Sequence, residues 1–252
     1  MNVLVCVKRV PLTGGKIVLT DDKQAISTRH LGFTVSPHEE CSAEEAVRLI
    51  EQHGGASTVL TLGPPEAEEQ LRDAMALGID RAVHLVTDGS EWDPEATAAA
   101  IVAAIGADEQ HYDLILFGTE SADGGNYQVP IRVAHALGLP CITGIKAIQV
   151  RDGTVRCEQE VAGGRDVYEL PLPAVISVKE GINLPRYPSV PGRMRAKKKP
   201  VLRTDPARPD ARLELVRLAV PGGSGKQTEV LGTGPEAAPA VVGVLRELGL
   251  VR

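Results

Sequence analysis

Across residues 1–140, near-continuous apolar runs alternate with segments whose apolar residues recur at helical spacing, and this alternation leaves few folds open. Val3–Val7, Thr58–Leu62, Ala82–Val86 and Leu114–Phe117 read as strands covered on both sides rather than on one. Between them, Ala43–Glu51 carries apolar residues at 43, 46, 47 and 50, and Glu66–Leu77 turns Ala67, Leu71, Ala74 and Met75 to one face. Strands of this kind joined through helices are the mark of βαβ units and a parallel sheet between helical layers. Aromatic residues make up only 3% of the chain, so Val, Leu, Ile and Ala must fill that core.

Local signals divide the rest. Ser42 with Glu45 three residues on fits a capping box for the first helix. Asp93-Pro94 opens an alanine-rich helix, Asp93–Ile105, and Gly78 and Gly138 stop the helices before them. A loop with Gly14-Gly15 and a small strand pair around Ile17–Ser27 precede Ser36-Pro37. Ile142–Val150 is a strand, Val155–Val161 and Val167–Leu170 form an antiparallel hairpin around Gly163-Gly164, and Ala174–Val178 closes the sheet. The expected fold is a three-layer α/β sandwich with a mainly parallel sheet, an added hairpin and an extended C-terminal arm. Residues 1–200 form the α/β domain. Residues 201–252, with a strand-like Leu213–Val220, a Gly-rich turn Gly222–Gly225 and a final helix Pro235–Leu248, read as an extension that packs on a partner.

Leu172–Lys199 breaks the pattern. It begins as an apolar strand, loses periodicity among Pro185, Pro188 and Pro191, and ends in Lys197, Lys198 and Lys199. Those prolines disfavour helix there. Long irregular excursions are functional arms or linkers, and Tyr187, Val190, Pro191 and Met194 are the candidate contact residues. The lysine run reads equally as a solvated cluster or as a contact for an acidic surface.

A second candidate site lies at the carboxyl ends of the parallel strands, where such sheets bind ligands. Cys6–Arg9, Ser36–Glu39, Leu62-Gly63 and Gly118–Pro130 should meet there. The last, GTESADGGNYQVP, offers Asp123, Asn126 and Gln128 to a ribose or base. The N–H groups of Gly124-Gly125 and of Asn126–Val129 suit a phosphate. There is no GxGxxG and no Walker A sequence, so an ordinary tight turn competes with a nucleotide.

Other classes are disfavoured. A net charge of −6 supplies no field for nucleic acid. Cys6, Cys41, Cys141 and Cys157 form no CxxC pair, the six histidines show no metal spacing, and neither GxSxG nor HExxH occurs. The expectation is a chain with no metal and no catalytic group of its own. Lys8-Arg9 follows the apolar Met1–Val7, the wrong order for a signal peptide, and no apolar run reaches the roughly 20 residues that span a bilayer. A cytoplasmic protein is expected.

LPAVISV, NLPRY, a short apolar residue before Pro191 and MRAKKKP resemble, in order and spacing, the recognition-loop region of the electron transfer flavoprotein beta subunit family. VLVCVKRV, SPHEECSAEEAVRL, GPPEAEEQLRDAMALGIDRAVHL and GTESADGGNYQVP extend the likeness over about residues 1–200. The resemblance implies an adenine-nucleotide alpha-hydrolase-like fold and a heterodimer with an alpha subunit that holds most of the FAD. It also implies AMP as a structural ligand and flavin-dependent dehydrogenases as electron donors. The matching nucleotide positions are Cys6, Ser36, Pro37, His38, Glu39 and Leu62, then Ala122, Asp123, Gly124, Gly125, Asn126, Tyr127, Gln128, Val129 and Pro130, on to Val133. The matching docking arm is residues 183–199, with Val190 at the position of a leucine that enters the dehydrogenase. Glu160 matches a family residue near the flavin domain. Ser36 replaces the usual Asn, and Asp123-Gly124-Gly125 replaces a run of acids. Ser121–Val129 partly echoes a bifurcating branch that binds a second FAD instead of AMP. The alternatives are that branch, a stand-alone nucleotide-binding regulatory protein, or an adenylate-transferring enzyme.

Overall fold

The computed structural model describes residues 1–12, 14, 17–210, 212–220 and 229–251. The chain runs β1 (Asn2–Cys6), β2 (Val10–Pro11), β3 (Phe33–Thr34), α1 (Pro37–His53), β4 (Ala56–Gly63), α2 (Glu68–Leu77), β5 (Arg81–Val86), α3 (Pro94–Ala107) and β6 (Leu114–Gly118). It continues through α4 (Val129–Leu137), β7 (Cys141–Arg151), β8 (Thr154–Val161), β9 (Gly164–Pro171), β10 (Ala174–Val178), α5 (Val190–Ala196), β11 (Val201–Thr204) and α6 (Ala238–Glu247).

Nine strands form one sheet in the order β11-β5-β4-β1-β6-β10-β7-β8-β9. β11 through β7 run parallel, and β8 and β9 turn back antiparallel. The three-layer sandwich and the added hairpin are therefore as the sequence implies. One core packs α1 and α2 on one face of the sheet, through Val3, Val5, Val47, Leu71, Met75 and Ile176. The other packs α3 and α4 through Leu4, Val83, Ile101, Ile115, Val133 and Val175. Consecutive residues of β1 thus feed opposite cores, which is why its sequence shows no polar alternation.

Four expectations need correction. Ala174–Val178 does not close the sheet: β10 is inserted between β6 and β7, every residue of it buried. α1 starts at Pro37, well before Ala43, and its cap is not Ser42 with Glu45. Ser36 is extended, Pro37 takes a first-turn position where no N–H is needed, and the Glu39 carboxylate accepts the Ser36 N–H at 3.0 Å. The proline-studded excursion is not free of helix, because α5 spans Val190–Ala196. Pro191 lies in its first turn, and the Ser189 hydroxyl accepts the Gly192 N–H at 3.1 Å. The pair expected around Ile17–Ser27 is a single bridge, Leu19 to Ile26; β2 and β3 form the small antiparallel ladder.

The sheet also takes in Val201–Thr204, which pairs with Ala82–Leu85. Leu213–Val220 forms no strand and touches the body through Leu218 N–H to the Lys23 carbonyl, 2.8 Å. The expected helix near the end is present as a 3-10 turn at Pro235–Ala237 followed by α6, with none of its residues buried. Gly15 and Gly222–Gly225 lie outside the described residues.

α5 lies on α2 at a distance only glycine permits. A methyl at Gly192 would stand 2.6 Å from the Ala76 carbonyl oxygen. Alanine ordinarily favours a helix over glycine by about 1 kcal/mol. Here Gly192→Ala is expected to destabilise the protein by about 1–3 kcal/mol in urea unfolding, because the two helices must separate.

Candidate functional site

β1 and its neighbours β4 and β6 end together, and the segments that leave them converge. The tie at the centre is Glu39. Its Oε1 accepts the Lys8 N–H and its Oε2 accepts the Ser36 N–H, both at 3.0 Å, so the exit of β1 and the start of α1 share one carboxylate. Gly118 at the end of β6 makes room for it, since a Cβ there would meet Glu39 Cγ at 2.7 Å. Burial outweighs the two main-chain donors and pushes the Glu39 carboxyl up to about 8.

The loop after β6 is fastened to the same point. Ser36 Oγ accepts the Ala122 N–H at 2.8 Å, and Lys8 Nζ pairs with Asp123 Oδ2 at 2.9 Å and Glu91 Oε1 at 2.8 Å. Burial opposes the Lys8 charge, but Glu91 and Asp123 outweigh it and raise the ammonium above its ordinary pKa. Asp123 is held low in turn, burial being overcome by Lys8.

Of the two sets of amides that the sequence offered to a phosphate, those of Gly124 and Gly125 are already taken. Gly124 donates to Asp123 Oδ1 at 2.6 Å, and Gly125 to the Ser121 carbonyl at 3.0 Å, so the loop consumes both. Among the described residues the N–H groups of Asn126, Tyr127 and Gln128 carry no hydrogen bond. Tyr127 lies among them at φ 58, a conformation costly for a side-chain residue and found at functional sites. A Cβ on Gly124 would sit 3.2 Å from Asn126 Nδ2, 3.5 Å from Ser121 Oγ and 3.9 Å from Lys8 Nζ. Lys8, already paired with Glu91 and Asp123, and the open amides nearby are the donors this loop offers to an anion.

The other predicted residues divide. The Cys6 thiol is buried, with burial and Glu39 pushing its pKa up. Pro37 and Pro130 are first-turn residues of α1 and α4, and Val129 packs on the core. Gln128 Oε1 accepts from the Arg132 guanidinium at 3.1 Å. Leu62 is partly buried near the end of β4, where the turn beyond is held by His84, whose Nε2 lies 3.2 Å from the Gly63 carbonyl and 3.1 Å from that of Pro64. His38 joins Glu120 and Glu180. Glu160 stands half-exposed on β8, 3.6 Å from Lys146. Lys8 lies within the Cys6–Arg9 segment expected at the crevice, though not named on its own; Glu91 was missed, because it is brought to the site by strand order, which no local signal carries.

The model of a family described as the electron transfer flavoprotein domain matches residues 25–209. The chain is 38% identical over 201 residues to the electron transfer flavoprotein subunit beta of Bacillus subtilis (strain 168), across 80% of this chain and 77% of that one. It is 38% identical over 223 residues to the subunit of the same name from Syntrophomonas wolfei, across 88% and 86%. With that of Mycobacterium leprae the identity is 39% over 206 residues, across 79% and 77%. The chain belongs to the electron transfer flavoprotein beta subunit family. Its role is therefore in electron transfer, and membership implies an alpha-subunit partner. The stand-alone and adenylate-transferring alternatives fall with that assignment. Among the described residues no helix is long and apolar enough to cross a membrane.

The excursion after β10 exposes several large apolar side chains. Leu184 is 91% exposed, Tyr187 96%, Val190 75% and Met194 57%. Between them the chain is tied down. Asn183 Nδ2 donates to the Cys41 carbonyl at 3.0 Å and to Glu45 Oε2 at 2.9 Å. Arg186 forks onto Glu44 at 2.9 Å and Glu51 at 2.6 Å. Arg193 pairs with Asp73, and the Lys199 ammonium reaches the Met75, Gly78 and Ile79 carbonyls at the end of α2. Of the lysine run, Lys199 is thus a cap, favoured by the helix dipole, while Lys197 and Lys198 are exposed. Leu184, missed in the sequence, is as open as the residues singled out.

Glu39 gives a test of the crevice's central tie. Its folded pKa of about 8 lies above the ordinary 4.5, so folding favours the protonated form. Its contribution is fully present below the ordinary value and is lost as pH rises through the folded one. The stability of the parent relative to Glu39→Gln, followed by urea unfolding, should therefore shrink from acid pH towards pH 8.

Proposed function

We propose that this beta subunit forms a heterodimeric carrier with an alpha subunit that holds FAD, stores AMP in the β1–β4–β6 crevice, and docks flavin-dependent dehydrogenases through residues 183–199. The single observation that carries the docking reading is the row of exposed apolar side chains, Leu184, Tyr187, Val190 and Met194, on a segment anchored at both ends. A monomeric surface rarely keeps such residues together without a partner. Val190 is the anchor, and the exposed Lys197 and Lys198 beside it suit an acidic rim on the dehydrogenase.

AMP fits the crevice on chemistry. Lys8 and the open amides of Asn126–Gln128 suit one phosphate, and the carboxylates of Asp123, Glu120 and Glu91 around them disfavour a longer phosphate chain. Ser36, His38, Leu62 and Asn126 line the approach for the nucleoside. The flavin, when bound, supplies the ring that accepts and releases electrons; this chain supplies a rigid base and a grip on the donor. The apolar side chains left open on the extension, among them Leu213, Val216, Val241, Leu248 and Leu250, are the surface for the alpha subunit.

Two measurements test these assignments. Denaturing extraction of the purified heterodimer should release one AMP and one FAD; two FAD and no AMP would assign the protein to the bifurcating branch. Val190→Ala removes two methyl groups, each worth about 0.8 kcal/mol of burial. It should slow electron transfer from a dehydrogenase by about tenfold at sub-saturating concentrations while leaving the flavin content unchanged. Rates equal to those of the parent would remove Val190 from the docking surface.

A further inference from the structure

The extension beyond β11 grips the loop that joins β5 to α3. Arg208 Nη1 donates to Ser90 Oγ at 2.7 Å and Nη2 donates to the Glu91 carbonyl at 2.6 Å, with the guanidinium 5.3 Å from the centre of the Trp92 ring. Ser90, Glu91 and Trp92 are thus held in succession by one side chain, and a cation over an indole adds attraction. The loop is fixed from its own side too. The Ser90 hydroxyl donates to Asp88 Oδ1 at 2.5 Å, Trp92 is buried, and Asp93 accepts the Ala96 N–H at 2.7 Å and the Arg212 N–H at 3.2 Å.

Glu91 carries this loop to the crevice. Its main chain is held by Arg208 and its carboxylate meets Lys8, so the ammonium stands between Glu91 and Asp123. The two partners differ. Asp123 is largely shielded and its other oxygen accepts the Gly124 N–H, which makes it part of the crevice loop; the Glu91 side chain is 67% exposed. An exposed Lys–Glu pair is ordinarily worth little, because two long side chains must be ordered to make it. Arg208 fixes the main chain from which Glu91 springs, and that lowers the cost. Lys8 and Asn126 flank one spot above Gly124, where a Cβ would stand 3.2 Å from Asn126 Nδ2 and 3.9 Å from Lys8 Nζ. An anion bonded to the open amides there would lie beside an ammonium whose charge is already offset twice.

We propose that Arg208 is a positioning residue for the crevice: it holds Glu91 against Lys8, and the Glu91 carboxylate limits the ligand taken there to a nucleoside monophosphate. A diphosphate brings one more negative charge to the same place, and like charges at such range repel appreciably. Placed repulsion of this kind discriminates between ligands that share every attractive contact. The proposal rests on reading the crevice as an AMP site and names what sets its phosphate limit.

The test is displacement of labelled AMP from the intact heterodimer at about 0.15 M ionic strength, with unlabelled AMP and ADP as competitors. The parent should prefer AMP to ADP. Glu91→Gln keeps the shape and loses the charge, and should narrow that preference by about three- to tenfold. Arg208→Ala should narrow it in the same direction, and Arg208→Lys, which keeps a cation and a donor, should restore most of it. Added to Glu91→Gln, Arg208→Ala should change the preference no further, since such non-additivity is the sign of one residue acting through another. An equal effect of Arg208→Ala in both backgrounds, or none in either, would overturn the positioning role. Retention of AMP with an unaltered preference in Glu91→Gln would overturn the phosphate limit and leave the AMP reading standing. A parent that holds no labelled AMP would remove that reading, and this inference with it.

Discussion

A buried carboxyl group with both oxygens committed to main-chain donors fixes the geometry on which the rest of the crevice depends. Glu39 takes the N–H that follows β1 and the N–H that precedes α1, and no apolar side chain could replace it without stranding both. The absence of a side chain on Gly118 lets it sit there. From that point Lys8 is directed at Asp123 and Glu91, and Ser36 at Ala122, so one buried contact orients groups from four segments.

The arm solves a different problem. It leaves apolar residues exposed without collapsing onto its own body. Its polar residues take the body and its apolar ones are left over: Asn183, Arg186, Arg193 and Lys199 are used inward, while Leu184, Tyr187, Val190 and Met194 are spent outward. β11 then seats the far end in the sheet beside β5, so the excursion begins and ends in core strands. This reverses the usual division, in which apolar residues face in.

The layered fold was legible because it is written in periodicity, which is local: strand runs, helix faces, the Asp93-Pro94 start and the Gly138 stop all appear in the structure. What was not legible is non-local. Ala174–Val178 looks like a last strand from its place in the chain, and only pairing with β6 and β7 puts it inside the sheet. The cap on α1 was misplaced because Ser42 and Glu45 satisfy the same spacing as Ser36 and Glu39, and only the neighbouring Lys8 N–H and Gly118 gap decide between them. α5 was missed because Pro191, a helix breaker in general, is harmless in a first turn. In the crevice the sequence offered two neighbouring sets of amides, Gly124-Gly125 and Asn126–Val129, with no sign of which would stay open. Glycine advertises an accessible backbone, yet Asp123 and Ser121 claim Gly124 and Gly125, and the open donors follow them.

Fastening the arm to α1 at one end and to α2 at the other has a consequence for the speed and strength of encounter. A tethered but floppy segment must be ordered by whatever captures it, and that ordering subtracts from affinity. Here the segment is already held in one shape by helices that belong to the same rigid core, so the dehydrogenase proposed to dock there would meet a preset surface. On the proposed docking reading, a stiff landing site would permit brief, repeated visits without demanding a large interface.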